Sequence, residues 1–280
     1  MMEIRINGKA ADITLDTENT IGEVMASLEG WLANSGHRLS GISIDGKTAG
    51  TAVLEDFFLR EVDSVKVLDI FTNSIAELTA ESLLNLLADI KDFEGLKYDE
   101  RNNYTANWKE SAQALFALEQ FPDLYDFYIN YFSGQVNSQV IVSVTEERLR
   151  EVNDPHSELT NLQPLLEETC TRLADFSLDV QTGKDARAAA TIQLFSGLAE
   201  KIFRLIKQLD NQGFLSQKAD EKKSFNQVID EFGKLIKELL QAYEKHDSIL
   251  TGDLAEYEVS PKLKELYTFI MNNKSKTGSG

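Results

Sequence analysis

The sequence predicts an α+β protein in which a small unit of strands and one helix precedes a larger all-α helical bundle. Apolar residues alternate with polar ones near the N-terminus, and after residue 73 the apolar period changes from two to about three and a half. Two long apolar seams then recur between residues 159 and 209. We therefore assign residues 1–72 to the first domain, 73–272 to the helical bundle and 273–280 to a flexible tail.

The first two strands form a predicted β-hairpin. Ile4 and Ile6 alternate with polar residues, and Asn7-Gly8 is a two-residue turn signal because both residue types tolerate positive φ. Ile13 and Leu15 resume the alternation, so we expect them on the return strand.

A capped helix follows the hairpin. Thr20 and Glu23 have the spacing of a capping box, in which the hydroxyl and the carboxylate each bind a backbone N–H at the helix start. Gly36 suits the end of this helix because glycine readily adopts the left-handed conformation. The apolar residues at helical spacing, which we expect to face the strands, are Ile21, Val24, Leu28, Trp31 and Leu32.

Two further strands complete the first unit. Ile42 and Ile44 lead into Asp45-Gly46, which is a second hairpin signal. Val65 and Val67 lie in the β-rich run SVKVLDIF. The predicted order is therefore two strands, one helix and two strands.

This order of elements resembles the ubiquitin-like β-grasp fold. The segments ITLDTENTIGEVMASLEG and LREVDSVKVLDI look like its second strand, capped helix and last strand, and the resemblance covers about a quarter of the chain. Conjugated members end in paired glycines, whereas this chain continues through LDIFTNSIAEL, so the resemblance does not imply conjugation. The residues expected on the outer sheet face are polar and lack the apolar recognition patch of many members: Arg5, Thr14, Ser43 and Lys66.

Helices are predicted from residue 74 onward. Ser74 and Glu77 again have capping spacing, and the polar run FEGLKYDERNNY is typical of a connection after the helix that they begin. Trp108 starts the next helical face, and Pro122 interrupts that helix before DLYDFYINYF. The run QVIVSV leaves two alternatives, since its β-branched residues favour a strand whereas its neighbours favour a helix.

Three long apolar seams predict the bundle. The first runs from Leu159 to Val180 and the second from Ile192 to Leu209, with the short connection QTGKD between them. We expect these two helices to run antiparallel with their seams together, because Gly183 can end the first helix in a left-handed cap. A third seam runs from Phe225 to Ala242, and shorter helices are expected near Leu254 and Leu266.

Charge limits the partners of this chain. It carries 46 acidic and 28 basic residues, a formal net charge of -18. Nucleic-acid affinity depends on cations that displace condensed counterions, so we expect neither nucleic acid nor an anionic membrane as a partner. The same charge steers a protein partner with a basic segment toward the chain.

Targeting and redox signals indicate the compartment. The start MMEIRINGK enters a strand without an apolar signal core, and no stretch approaches the roughly 18 apolar residues of a membrane span. We therefore expect a cytoplasmic protein. The single cysteine, Cys170, excludes an internal disulfide, and its helical setting favours a packed, inert thiol.

Local motifs for catalysis or cofactor binding are weak. The TGKD at residues 182–185 contains the Gly-Lys pair of a phosphate loop but lacks the first glycine and the preceding strand. The histidines are far apart in the sequence and lack a second ligand at helical zinc spacing: His37, His156 and His246. We therefore predict no catalytic residue, no cofactor and no metal.

One aromatic cluster stands out. The segment around DLYDFYINYF places aromatic side chains on more than one helix face, so burying all of them needs contacts on several sides. Its members are Phe121, Tyr125, Phe127, Tyr128, Tyr131 and Phe132. Two interpretations stay open, packing in the core or a groove that binds protein, because Tyr and Phe are favoured interface anchors.

These observations predict a non-catalytic adaptor or assembly factor that binds another protein. In this interpretation the β-grasp unit sets the partner or the location, and the helical seams provide a groove or a homodimer interface. One alternative is an acidic helical chaperone, similar in composition to those of bacterial secretion and flagellar export. Another is an enzyme whose pocket is assembled from residues distant in the sequence.

Overall fold

The computed structural model describes most of the chain. The described residues are 2–13, 15, 17–34, 36–48, 54–212 and 219–272. Two expectations fall outside them, the outer-face position of Thr14 and the tail at 273–280. The chain divides into two compact units, Met1–Leu149 and Arg150–Gly280. A mixed sheet lies in the first unit and helices make up the rest, so the α+β class is confirmed.

Five strands form one mixed sheet in the first unit. They are β1 (Glu3–Ile6), β2 (Lys9–Ala10), β3 (His37–Ile44), β4 (Lys47–Thr48) and β5 (Val67–Ser74). Their order in the sheet is β2-β1-β5-β3-β4. The central pair β1 and β5 is parallel, whereas β1 with β2, β3 with β4 and β3 with β5 are antiparallel.

Both predicted hairpin turns are confirmed. Asn7 and Gly8 have φ of 50° and 78°, and Asp45 and Gly46 have φ of 49° and 79°, as a two-residue turn matched to the strand twist requires. The two polar turn residues also tie the hairpins to β5. Asn7 exchanges hydrogen bonds with the backbone of Thr72, while the Asp45 carboxylate accepts from two successive backbone N–H groups at the start of β5.

The return strand of the first hairpin is shorter than the alternation predicts. β2 contains only Lys9 and Ala10, so the placement of Ile13 and Leu15 on a return strand is wrong. Both side chains are nevertheless half-buried against the core of the sheet, which explains their apolar character without strand pairing. Ser43, expected on an exposed outer face, is buried, whereas Arg5 is half-buried and Lys66 exposed.

Helix α1 (Ile21–Asn34) covers one face of the sheet. Its capping box forms as predicted, with mutual hydrogen bonds of 3.3 Å between Thr20 and Glu23. The apolar face packs with the sheet core, except that Trp31 is 54% exposed and not buried as expected. Trp31 lies only one position before the buried Leu32, so an indole at the edge of the helical stripe remains in solvent.

The first unit continues with helices. Their bounds are α2 (Leu54–Phe58), α3 (Ile75–Gly95), α4 (Tyr98–Trp108), α5 (Ala112–Gln120), α6 (Pro122–Phe132) and α7 (Ser138–Asn153). The Ser74–Glu77 capping box at the start of α3 is confirmed. The ambiguous run QVIVSV is helical, because all of it lies in α7. The division between the two units falls within α7, and a domain boundary near residue 73 stays a prediction.

The polar run at residues 93–104 is not a mere connection. Most of it belongs to α4, and Trp108 ends this helix where we expected it to start the next one. The backbone N–H of Lys97 donates to the Glu100 carboxylate at 3.1 Å, which caps the first turn. The helix has little apolar periodicity of its own and is held by tertiary contacts of Tyr104 and Trp108.

The second unit is a helical bundle. Its helices are α8 (Pro155–Asn161), α9 (Gln163–Ala174), α10 (Phe176–Gln181), α11 (Asp185–Asn211), α12 (Ala219–Glu244), α13 (Ser248–Asp253) and α14 (Ser260–Asn272), with a π-helical segment at Leu254–Val259. The first predicted seam is therefore divided among three helices with breaks at Leu162 and Asp175. Its positions still contribute to the core, because both breaks keep helix-like backbone angles and the apolar stripe continues across them.

Polar contacts confirm that α11 runs antiparallel to the segment before it. Arg187 near the start of α11 binds Asp175, and Lys201 in the middle binds Glu158. Arg204, further along, makes a two-pronged ion pair of 3.0 Å contacts with Glu151. Partners earlier in the chain are thus met later along α11, as the short turn with Gly183 at φ 72° requires.

Candidate functional site

The six predicted aromatic residues lie on α6 or directly before it, and their exposure differs. Phe121, Tyr128, Tyr131 and Phe132 are buried within the first unit. Tyr125 and Phe127 are half-buried. The four buried rings pack in the interior of this unit, and protein binding by the cluster stays a prediction.

Trp108 organises the buried side of α6. Its indole stacks on Tyr128 with ring centroids 5.4 Å apart and an interplanar angle of 10°. It also stacks on Tyr125 at 5.9 Å and meets Phe132 edge-on at 4.9 Å. One residue at the end of α4 therefore contacts three of the six aromatic side chains, which fixes α6 against α4.

A half-buried carboxylate orients this indole. Trp108 Nε1 donates to Asp89 Oδ2 at 2.7 Å, and Tyr104 Oη donates to the backbone carbonyl of Asp89 at 3.3 Å. Burial raises the pKa of Asp89, although the hydrogen bond from Trp108 opposes this effect by stabilising the carboxylate. Asp89 therefore acts as a hydrogen-bond acceptor within an aromatic environment.

The hydroxyl of Tyr128 has one defined partner. Thr145 Oγ1 donates to the carbonyl of Ile141 at 2.8 Å, so the 3.2 Å contact between Thr145 Oγ1 and Tyr128 Oη has the tyrosine as donor. Burial raises the pKa of Tyr128 well above its ordinary value. The phenol is thus a neutral donor that joins α6 to α7.

An open pocket lies at the far end of the aromatic cluster, and we call it the aromatic pocket. Its volume is about 450 Å³, within the range of small-ligand sites. Residues of α3, α4 and α6 and of the segment before α7 line it, among them Phe93, Tyr98, Arg101, Tyr131, Phe132 and Asn137. The Phe93 ring packs against two other lining rings, since its centroid lies 5.4 Å from that of Tyr131 and 4.8 Å from that of Phe132.

Two side chains of α4 give this pocket its chemistry. Tyr98 is 89% exposed at the pocket, an unusual position for a large aromatic ring. The guanidinium carbon of Arg101 lies 5.0 Å from the centroid of Phe93, within cation–π distance. The Nε of Arg101 is buried without a hydrogen-bond partner, a condition that costs about 1 to 3 kcal/mol.

The sequence prediction named Tyr131 and Phe132 but missed Phe93, Tyr98 and Arg101. The last two lie three positions apart and therefore share one face of α4. That spacing is the available signal, and the prediction of a polar connection for residues 93–104 leaves it unused. Phe93 belongs to α3, and only the packing of α3 against α6 brings it to the pocket.

The remaining motifs have structural partners. Lys184 of TGKD lies 3.6 Å from the fully buried Asp179, so its ammonium is engaged in an ion pair. Cys170 is buried with its Sγ 3.8 Å from the carbonyl of Ser260, and burial raises the pKa of this thiol.

A smaller pocket of about 190 Å³ in the second unit is lined by Phe176 and His246 among others.

Within the described ranges, no three His, Cys, Asp or Glu side chains are grouped to hold a metal ion. Among the helices of those same ranges, none has the length and apolar character needed to cross a membrane.

Comparison with known proteins gives similarity in two segments and along the whole chain. Residues 2–74 match a family model described as TP0873 N-terminal domain, and residues 157–269 match one described as Domain of unknown function (DUF8042). The chain is 20% identical over 271 residues to an "Uncharacterized protein" of Treponema pallidum (strain Nichols), with 97% of each chain covered. No solved structure matches the chain. The first segment coincides with the mixed sheet, and the second lies within the second compact unit.

Proposed function

We propose that this protein is a non-catalytic adaptor or assembly factor that binds a partner protein at the aromatic pocket. The observation that carries the proposal is the exposed Tyr98 beside an open pocket with buried aromatic walls. Residues that dominate protein interfaces are mostly Trp, Tyr and Arg, and they insert into or surround pockets of this kind. Tyr98 and Arg101 supply two of these types on one helix face.

Rigidity of the pocket walls supports this role. Phe132 is held by ring contacts with Phe93, Trp108 and Tyr131. Trp108 is in turn held by its hydrogen bond to Asp89. A preorganised wall loses little side-chain entropy when a partner binds, so more of the contact energy becomes affinity.

We infer that the N-terminal sheet is a ubiquitin-like β-grasp unit and offers a second contact surface. The order β2-β1-β5-β3-β4, the parallel central pair and one helix packed on one face support this inference. Leu68, Ile70 and Thr72 are buried, so Phe71 points to the opposite face, where it lies partly exposed against Gly41. Phe71 therefore gives the outer sheet face an apolar side chain, in addition to the polar residues that the sequence predicts there.

The chain's charge supports a partner that carries basic segments. A formal net charge of -18 favours encounter with positively charged surfaces and disfavours nucleic acid. In this proposal, basic segments of the partner meet the acidic surface while the pocket holds one anchoring segment.

Affinity capture with a matched pair of variants tests the proposal. Tyr98→Ala should weaken capture of the partner by about 1 to 2 kcal/mol or more, because it removes an interface anchor. Tyr257→Ala is the control, since Tyr257 is 68% exposed, belongs to the second unit and does not line the aromatic pocket. The two variants should melt at the same temperature as the native protein.

Equal capture by both variants would contradict binding at this pocket. Turnover of a metabolite in an unbiased substrate screen, without any captured protein, would replace the adaptor with an enzyme.

A further inference from the structure

Arg101 lines the aromatic pocket without a carboxylate partner. Its Nε–H is buried and donates no hydrogen bond within the protein, and none of the carboxylates in the described ranges forms an ion pair with its guanidinium. A guanidinium carries five N–H donors and no acceptor. The pocket therefore contains a guanidinium that no carboxylate binds directly.

A shortage of carboxylates does not explain this state. The chain has 46 acidic residues against 28 basic ones. Other arginines on its helices are paired, including Arg148 with Asp123 at 2.6 Å and Arg187 with Asp175 at 3.1 Å. Arg204 even makes a two-pronged pair with Glu151. Arg101 thus differs from these arginines in facing a pocket and lacking a carboxylate.

The position of the guanidinium defines what it can bind. One side lies near the Phe93 ring, at 5.0 Å from the centroid. Nε is buried, whereas the two terminal nitrogens are not among the buried atoms without a hydrogen-bond partner, so they form the edge that a ligand can reach. The edge of a guanidinium matches the two oxygens of a carboxylate and binds them with parallel hydrogen bonds.

The rest of the pocket favours an apolar or aromatic group beside that carboxylate. Tyr131 and Phe132 form aromatic walls, and the volume of about 450 Å³ accommodates more than a small inorganic anion. Glu94 is the acidic residue that also lines the pocket, and it repels an incoming carboxylate.

We propose that the aromatic pocket binds a carboxylate next to an aromatic or apolar side chain, supplied by a segment of the partner protein. Arg101 holds the carboxylate, and Phe93 and Phe132 pack on the apolar group. The preference for a carboxylate is argued from the residues of the pocket alone. The assignment of that carboxylate to a partner protein rests on the proposed function.

Small probes test the chemistry on the full chain. N-acetylphenylalanine carries the carboxylate and the ring, and N-acetylphenylalaninamide is its neutral counterpart. In calorimetric titrations we expect the acid to bind at least about tenfold more tightly than the amide, because a hydrogen bond to a charged group is the stronger kind. Benzoate and inorganic phosphate complete the set, and both should bind more weakly than N-acetylphenylalanine.

Three variants assign the effect to the pocket. Arg101→Gln should weaken binding of the acid by at least about tenfold and leave the weak binding of the amide unchanged. Glu94→Gln should strengthen binding of the acid, a gain that only a folded pocket can give. Arg172→Gln is the control, because Arg172 forms a surface ion pair with Glu168 in the second unit, and it should bind like the native protein.

Equal affinity for acid and amide, or an unchanged affinity in Arg101→Gln, would overturn the carboxylate site. Tighter binding of phosphate would replace it with a general anion site, and tighter binding of benzoate would replace the partner segment with a free organic acid. The two proposals fail separately. If the acid binds but Tyr98 is irrelevant to capture, the adaptor role fails; if capture needs Tyr98 but the acid does not bind, the carboxylate anchor fails.

Discussion

Replacing Tyr128 by alanine is expected to unfold the first unit at a much lower temperature. The side chain has no solvent-exposed surface, stacks on Trp108 at 5.4 Å and donates a hydrogen bond to Thr145. Truncation of a large buried aromatic leaves a cavity and costs about 3 to 5 kcal/mol. For a unit of this size, that cost corresponds to a decrease of about 6 to 20 °C in melting temperature.

Two further variants separate the contributions to that cost. Tyr128→Phe keeps the ring and loses only the hydroxyl, so it should cost about 1 kcal/mol. Tyr257→Ala removes a ring that is 68% exposed, and its effect should stay within about 0.5 kcal/mol. Thermal and urea unfolding, followed by circular dichroism and by tryptophan fluorescence, to which Trp31 and Trp108 both contribute, measure all three variants. A Tyr128→Ala protein that melts with the native one would refute the assignment of Tyr128 to the core.

Three other perturbations have defined outcomes. Burial raises the folded-state pKa of Tyr128. The neutral phenol therefore contributes to stability below about pH 10, and this contribution is lost as the pH rises. Tyr128→Phe should for that reason flatten the decline of the unfolding free energy at alkaline pH. Gly252→Ala should cost about 1 to 3 kcal/mol in thermal unfolding, since its Cβ would collide with Ser177 Oγ, and adding Ser177→Ala should recover part of the loss. Arg204→Met should cost about 3 kcal/mol because it removes the two-pronged ion pair from the buried Glu151, and Glu151→Met in the same chain should recover most of it in a double-mutant cycle by urea unfolding.

Local signals predicted much of the fold. The positive φ at Asn7-Gly8 and Asp45-Gly46 and the capping boxes at Thr20 and Ser74 involve residues within four positions of one another. Turn and capping signals of this short range can be predicted from a single sequence. The long seams were also legible, because an apolar stripe repeated over many turns has few alternatives.

Elements held by tertiary contacts were not predictable in the same way. Helix α4 has little apolar stripe, and its stability comes from the packing of Tyr104 and Trp108 on α3 and α6. The breaks at Leu162 and Asp175 were missed because the apolar spacing continues through them. A prediction from apolar periodicity detects the stripe, but the periodicity carries no information about where backbone hydrogen bonds are interrupted.

The candidate site was predicted only in part for the same reason. Tyr131 and Phe132 belong to one aromatic segment, so composition alone drew attention to them. Phe93 and Arg101 come from α3 and α4 and reach the pocket through packing between helices. An unpaired arginine is a property of three-dimensional surroundings, which local sequence does not contain.

Site-specific photo-crosslinking tests the central claim, that a protein partner binds at the aromatic pocket, most directly. A photoreactive phenylalanine analogue at position 98 replaces a side chain that is already exposed, and the same analogue at position 257 is the control. The account predicts a crosslinked protein adduct of one defined mass at position 98, its loss with excess N-acetylphenylalanine, and no such adduct at position 257. An adduct at position 257 only would contradict it. So would the absence of an adduct at position 98 when the protein that carries the analogue there is saturated with cell extract.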